Sequence, residues 1–164
     1  MSGAYRFCPQ CGGELVLREA GGLLRPTCPA EGCSFVLWDN PVPVVAALVE
    51  YGGQVLLARN VAWPEKSFGL VTGYLERDEA PEQAVAREVA EELGLVATVV
   101  ALIGLYPFRQ KNQLLIAYHV VAEGEVVLNE ELAEIRLIEP ERLKAWDFGT
   151  GFAVRDWLLA RAAV

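Results

Sequence analysis

The side chains best equipped for chemistry in this 164-residue chain are a glutamate triad and four cysteines. Glu88, Glu91 and Glu92 fall inside residues 78–93, where apolar positions recur at helical spacing and Gly94 follows as a stop. At 100° per residue the three carboxylates share an arc of about 100°, beside a stripe of Val85, Val89 and Leu93. Like charges one turn apart repel by roughly 0.2–0.5 kcal/mol on an exposed helix. Two readings fit the triad. It is a solvated acidic face, or it is a cradle for a hard divalent ion, Mg²⁺ or Mn²⁺, which would remove the repulsion.

The cysteines come as Cys8 and Cys11, then Cys28 and Cys33, with sixteen residues between the pairs. Two close pairs at this separation suit one tetrahedral Zn²⁺ with a closed, structural shell. The competing reading is two disulfides, which would suit a secreted protein. The first ten residues hold no basic region followed by an apolar core, so the expectation is a reducing cytoplasm and zinc.

Elements must position these groups. Asp39-Asn40-Pro41-Val42-Pro43 is a stiff connector, placing a boundary between a ribbon at 1–40 and a second domain at 41–164. Residues 14–18 alternate like a short strand. Residues 44–50 and 54–59 flank Gly52-Gly53 as a hairpin, with a further short strand at 68–72. Strands follow at 96–103, 114–122 and 135–138, and a helix at 152–162. The longest charge-free stretch, 93–108, contains Gly94, Gly104 and Pro107 and reads as a buried strand and a turn, too short to cross a bilayer. The mixed order of strands and helices predicts an α/β (α+β) sandwich with a mixed sheet.

Lys and Arg number 14 against 22 Asp and Glu, a formal charge of −8. That balance argues against a protein whose main partner is a nucleic-acid backbone.

Residues 73–95 match G-x5-E-x7-R-E-U-x-E-E-x-G-U, with U a bulky aliphatic, at Gly73, Glu79, Arg87, Glu88, Val89, Glu91, Glu92, Gly94 and Leu95. The segment resembles the Nudix box, and the chain resembles a Nudix hydrolase. The resemblance implies a Nudix-type α/β/α sandwich and hydrolysis of a pyrophosphate bond. It implies that Glu88, Glu91, Glu92 and the Gly73 carbonyl hold Mg²⁺ or Mn²⁺. Arg87 and Glu79 would tie loop to helix, with Gly73, Glu79 and Gly94 structural.

A four-cysteine ribbon before such a domain resembles the NADH pyrophosphatase branch, as do residues 41–59, 82–92 and 149–158. That implies NAD(H) as the leading substrate, with ADP-ribose or a nucleotide sugar as the alternative. It also admits NAD-capped RNA, and a homodimer without membrane association. A silent nucleotide-sensing domain is the non-enzymatic alternative. The branch's SQPWPFP motif corresponds to IGLYPFR at 103–109, retaining Pro107 and Phe108 with Tyr106 in place of Trp. Tyr106 and Phe108 become expected base-stacking residues, and Arg109, with Lys111 nearby, an expected phosphate contact. Glu131, favoured over Glu134, is the expected later carboxylate that completes the metal site or acts as base. His119 sits in an apolar strand pattern and is assigned to packing.

Overall fold

In the computed structural model, which describes residues 5–163, the chain divides into two units at Asn40 and Pro41. In the first, β1 (Val16–Ala20) and β2 (Leu23–Thr27) form an antiparallel hairpin paired from Val16↔Thr27 to Ala20↔Leu23. Its two-residue turn, Gly21-Gly22, takes φ of 59° and 77°, a left-handed turn that glycine adopts without strain. The strand expected at 14–18 begins two residues later. Glu14 instead forms an isolated bridge with Phe7.

The second unit is built on β3 (Val42–Tyr51), whose residues 44–49 are all buried because both of its faces are covered. It turns through Gly52-Gly53 into β4 (Gln54–Asn60), and β5 (Val71–Tyr74) pairs with the first half of β3. Helix α1 (Pro81–Leu93) follows, then β6 (Val96–Phe108), β7 (Gln113–Glu123), β8 (Leu132–Ile138) and helix α2 (Gly151–Ala162). The sheet runs β6-β7-β3-β4-β8, with β5 beside β3. Only β3 and β7 pair in parallel; the other pairings are antiparallel. Alternate residues of β3 serve two cores. Val45, Ala47 and Val49 pack with Val85, Val89 and Leu93 of α1, while Val44, Ala46 and Leu48 pack with Ala153, Val154 and Trp157 of α2. This is the expected α/β/α sandwich with a mixed sheet. Each such Val or Leu withdrawn from water stabilises the fold by roughly 1.5–3 kcal/mol before entropy is counted.

Two local expectations are corrected. The first helix starts at Pro81, not Asp78, because Asp78 has φ 62° and Ala80, preceding proline, is extended at φ −76°, ψ 144°. The stretch read as a buried strand and turn is one long edge strand. β6 continues to Phe108, and Val96, Val99, Leu102 and Leu105 are exposed. Pro107 costs no ladder bond because β6 pairs on one side only, with β7. Among the described residues no helix is long and apolar enough to cross a membrane.

Candidate active site and cysteine centre

The α1 face carries the acids to the end of β5. Glu79, Arg87, Glu88 and Glu91 form one charged cluster. Arg87 Nε and Nη2 donate to the two Glu79 oxygens at 2.8 and 2.9 Å. Its Nη1 reaches Glu88 at 2.7 Å and Glu91 at 3.1 Å, and Nη2 also donates to the Tyr74 carbonyl at 3.3 Å. One guanidinium thus joins the loop before the helix, β5 and two helix carboxylates. The Glu79 carboxyl is held below its ordinary range chiefly by the Arg87 hydrogen bonds. Gly73 permits this packing, since a Cβ there would overlap the Glu88 carboxyl group. At the far end of the helix Gly94 takes φ 69°, and its N–H closes onto the Ala90 carbonyl at 3.0 Å.

Glu88, Glu92 and Glu131 line one cleft of about 670 Å³, together with Gly73. Glu92 is 7% exposed, the one buried charged residue among those described. Burial, and then the neighbouring Glu88, Glu131 and Glu91 charges, push its carboxyl up to about 7, with no hydrogen bond to offset them. Glu88 is also raised, by burial first, against the pull of Arg87. Glu91 is not among the lining residues; its side chain is 57% exposed and pairs with Arg87. Glu134 is turned away, 3.7 Å from Arg59 and 3.6 Å from Arg136. A buried carboxylate facing two others and lacking a donor is expensive, and an all-oxygen donor set suits Mg²⁺ or Mn²⁺. The residues therefore fit a divalent ion.

Six aromatic residues share the lining with the acids: Trp63, Phe68, Tyr74, Phe108, Trp146 and Phe148. Phe108 is where the sequence reading put it. Tyr106 is not: it is 9% exposed in the α2-side core, and its hydroxyl donates to Asp156 at 2.9 Å. Burial and Asp156 push its phenol up to about 12. It is unavailable for stacking on a ligand. Arg109 is exposed and outside the cleft, whereas Lys111, two residues on, lines it. His119 is half-buried near α2, its Nε2 2.9 Å from Glu50 and its ring centroid 5.5 Å from that of Trp157. Sequence reading missed the other five aromatics. Their signal was weak: Trp63 before Pro64, and Trp146 and Phe148 before Gly149, are large apolar residues in turn-rich segments.

In the first unit all four sulfurs lie within 4.8 Å of one another and none is in a disulfide. Cys8 and Cys33 are 3.7 Å apart, and Cys11 and Cys28 are 3.4 Å apart. Sulfurs about 2.3 Å from a tetrahedral Zn²⁺ would be about 3.8 Å apart, so the cluster fits one ion. Gly12 at φ 76° and Gly32 at φ 77° make the two tight turns beside Cys11 and Cys33. Among the described residues this is the group of Cys, His, Asp or Glu ligand atoms converging that closely. Among the described residues the cleft glutamates do not form such a group.

Fold and cleft together define an α/β/α-sandwich domain with an acidic, ligand-sized pocket on one side. The chain belongs to the Nudix family: the model described as "NUDIX domain" matches residues 39–155. It is 32% identical to the "NAD-capped RNA hydrolase NudC" of Mycobacterium bovis (strain BCG / Pasteur 1173P2), over 70% of this chain and 36% of that protein. Against the protein of the same name in Stutzerimonas stutzeri (strain A1501) it is 32% identical, over 86% of this chain and 50% of the other. The chain thus spans half or less of the length of these relatives. Among solved structures, a NUDIX hydrolase from Nitrosomonas europaea superposes with a TM-score of 0.81 at 25% identity. The match covers 97% of this chain and 93% of that one.

Proposed function

We propose that this protein is a divalent-metal-dependent hydrolase that cleaves the pyrophosphate bond of a nucleoside diphosphate joined to a second moiety, with NAD(H) the leading substrate. The observation that carries this reading is the buried, donor-free Glu92 beside Glu88 and Glu131 in a cleft also lined by aromatic residues. Glu88, Glu91, Glu92 and the Gly73 carbonyl would hold Mg²⁺ or Mn²⁺. Such an ion neutralises phosphate oxygens and lowers the pKa of water. Arg87 positions Glu88 and Glu91 by binding both while anchored to Glu79. Glu131, which lines the same cleft from a separate loop, would accept a proton from the attacking water at its carboxylate. Phe108 and the neighbouring aromatics offer faces to a base, an interaction worth about 1–3 kcal/mol. The names of the relatives extend the candidate substrates to NAD-capped RNA.

Cys8, Cys11, Cys28 and Cys33 would hold zinc in a structural role, an arrangement that suits a reducing cytoplasm, where cysteines escape disulfide formation. The test is incubation with NADH, NAD⁺, ADP-ribose, nucleotide sugars, nucleoside triphosphates and NAD-capped RNA, with Mg²⁺ or Mn²⁺, identifying products by mass. Nicotinamide mononucleotide and AMP from NAD(H) are the expected products. Preferential cleavage of ADP-ribose would reassign the substrate, and binding without turnover would make the domain a nucleotide sensor.

A further inference from the structure

Beside the main cleft lies a recess of about 40 Å³ whose polar lining is Asn60, Thr72, Glu92 and Glu131. Thr72, Glu92 and Glu131 line the cleft as well, so the recess opens from it. The backbone sets Asn60 beside Glu131. Asn60 pairs with Leu132 where β4 meets β8, and the Val61 N–H donates to the Glu131 carbonyl at 2.8 Å. The Asn60 amide is turned one way: its Oδ1 accepts the Ala62 N–H at 2.9 Å, and its Nδ2 has no hydrogen-bond partner among the described residues. Glu92 is buried and likewise makes no hydrogen bond. A recess of this size exceeds the roughly 10–15 Å³ that one water requires, and a water is held where about two to four polar groups meet it. Ionised carboxylates only accept, so Glu92 and Glu131 can take the two O–H groups of such a water but offer nothing to its oxygen. The Asn60 Nδ2 is the amide donor in that lining.

We propose, resting on the hydrolase reading of the cleft, that Asn60 is a further catalytic residue, whose Nδ2 holds the attacking water between Glu92 and Glu131. The amide N–H donates to one lone pair of the water oxygen while the carboxylates accept its two O–H groups, and the second lone pair is left to attack phosphorus. As the new P–O bond forms, one water proton passes to the Glu131 carboxylate. The bond from phosphorus to the bridging oxygen breaks, and its electron pair leaves on the departing phosphate. Asn60 keeps its own protons throughout and contributes by orientation.

Asn60→Asp tests this, because it keeps an oxygen for the Ala62 N–H and replaces the Nδ2 donor with a second acceptor. Asn60→Ala removes both ends of the amide and separates the lost donor from the charge that Asp adds. With NADH or ADP-ribose, whichever is cleaved faster, and saturating Mg²⁺, both variants should lose about a hundredfold in kcat with KM nearly unchanged. A high-resolution crystal structure of the wild type should show an ordered water about 3 Å from Nδ2 and from the Glu92 and Glu131 carboxylates, and Asn60→Ala should lack it. Wild-type kcat in either variant, a loss confined to KM, or a wild-type crystal with no water on Nδ2 would each overturn the proposal. A wild type that cleaves no nucleotide would refute the hydrolase reading and the role in attack together, whereas an active wild type with equally active variants would overturn the Asn60 assignment alone.

Discussion

The carboxyl group of Glu88 rests on the bare Cα of Gly73, in space that a Cβ would occupy. A helix side chain and a strand backbone from different layers are thus interlocked at the edge of the cleft. Gly73 is paired with Val45 in extended backbone, so glycine is needed there for space and not for an unusual φ. Gly73→Ala should leave the fold intact and swing Glu88 off its position. Turnover is expected to fall by about a hundredfold or more, the scale of a misplaced catalytic group, with an unchanged far-ultraviolet circular dichroism spectrum. Wild-type turnover in Gly73→Ala would separate Glu88 placement from activity.

Arg87 and Glu79 set the acid stability of the loop–helix joint. Glu79's folded pKa is depressed below the ordinary 4.5, chiefly by Arg87. Its contribution is present above the unfolded pKa and is lost as pH falls through the lower folded value. Thermal melts from pH 6 down to pH 3 should show a Tm decline in the wild type. Glu79→Gln should start from a lower Tm and decline less steeply, and identical pH profiles for the two would remove the pair from the stability account.

Glu92 has the opposite sign. Its folded pKa of about 7 lies above the ordinary 4.5. The folded protein therefore holds this proton more tightly than the unfolded chain, and stability falls as pH rises between those values. The loss is on the order of 3 kcal/mol by linkage. Urea unfolding without divalent ions should show lower stability at pH 8 than at pH 5 from this source. Saturating Mg²⁺ should recover stability at pH 8, and Glu92→Gln should flatten both effects. A wild type indifferent to Mg²⁺ at pH 8 would count against an ion at Glu92.

Elemental analysis of purified protein should find about one zinc per chain. Cys11→Ser breaks a cluster whose sulfurs lie 3.4–3.7 Å apart and should lower zinc content and expose the remaining thiols to alkylation. Metal-free protein with its thiols in disulfides would overturn the zinc assignment.

The acidic helix was legible in sequence because all of its functional positions lie within residues 73–95, where 3.6-residue geometry converts spacing into a face. The cysteine cluster was legible for the same reason of local spacing. Tyr106 and Phe108 show where local reading fails. Both stand on β6, but only Phe108 lies at the strand end beside the cleft, while Tyr106 is drawn into the α2 core by Asp156. The aromatic part of the lining was illegible because Trp63, Phe108 and Trp146 come from three separate loops and strand ends that only the fold brings together. Choosing Lys111 over Arg109 likewise needed the sense of the turn at 109–111.

The most direct measurement is hydrolysis of NADH by wild type and Glu92→Gln, with and without Mg²⁺ or Mn²⁺, both products identified by mass. The prediction is two mononucleotides from the wild type with the ion, and none when either the ion or the Glu92 carboxylate is removed. Full activity of Glu92→Gln, or equal turnover after all divalent ions are chelated, would contradict a catalytic centre built on the α1 glutamates.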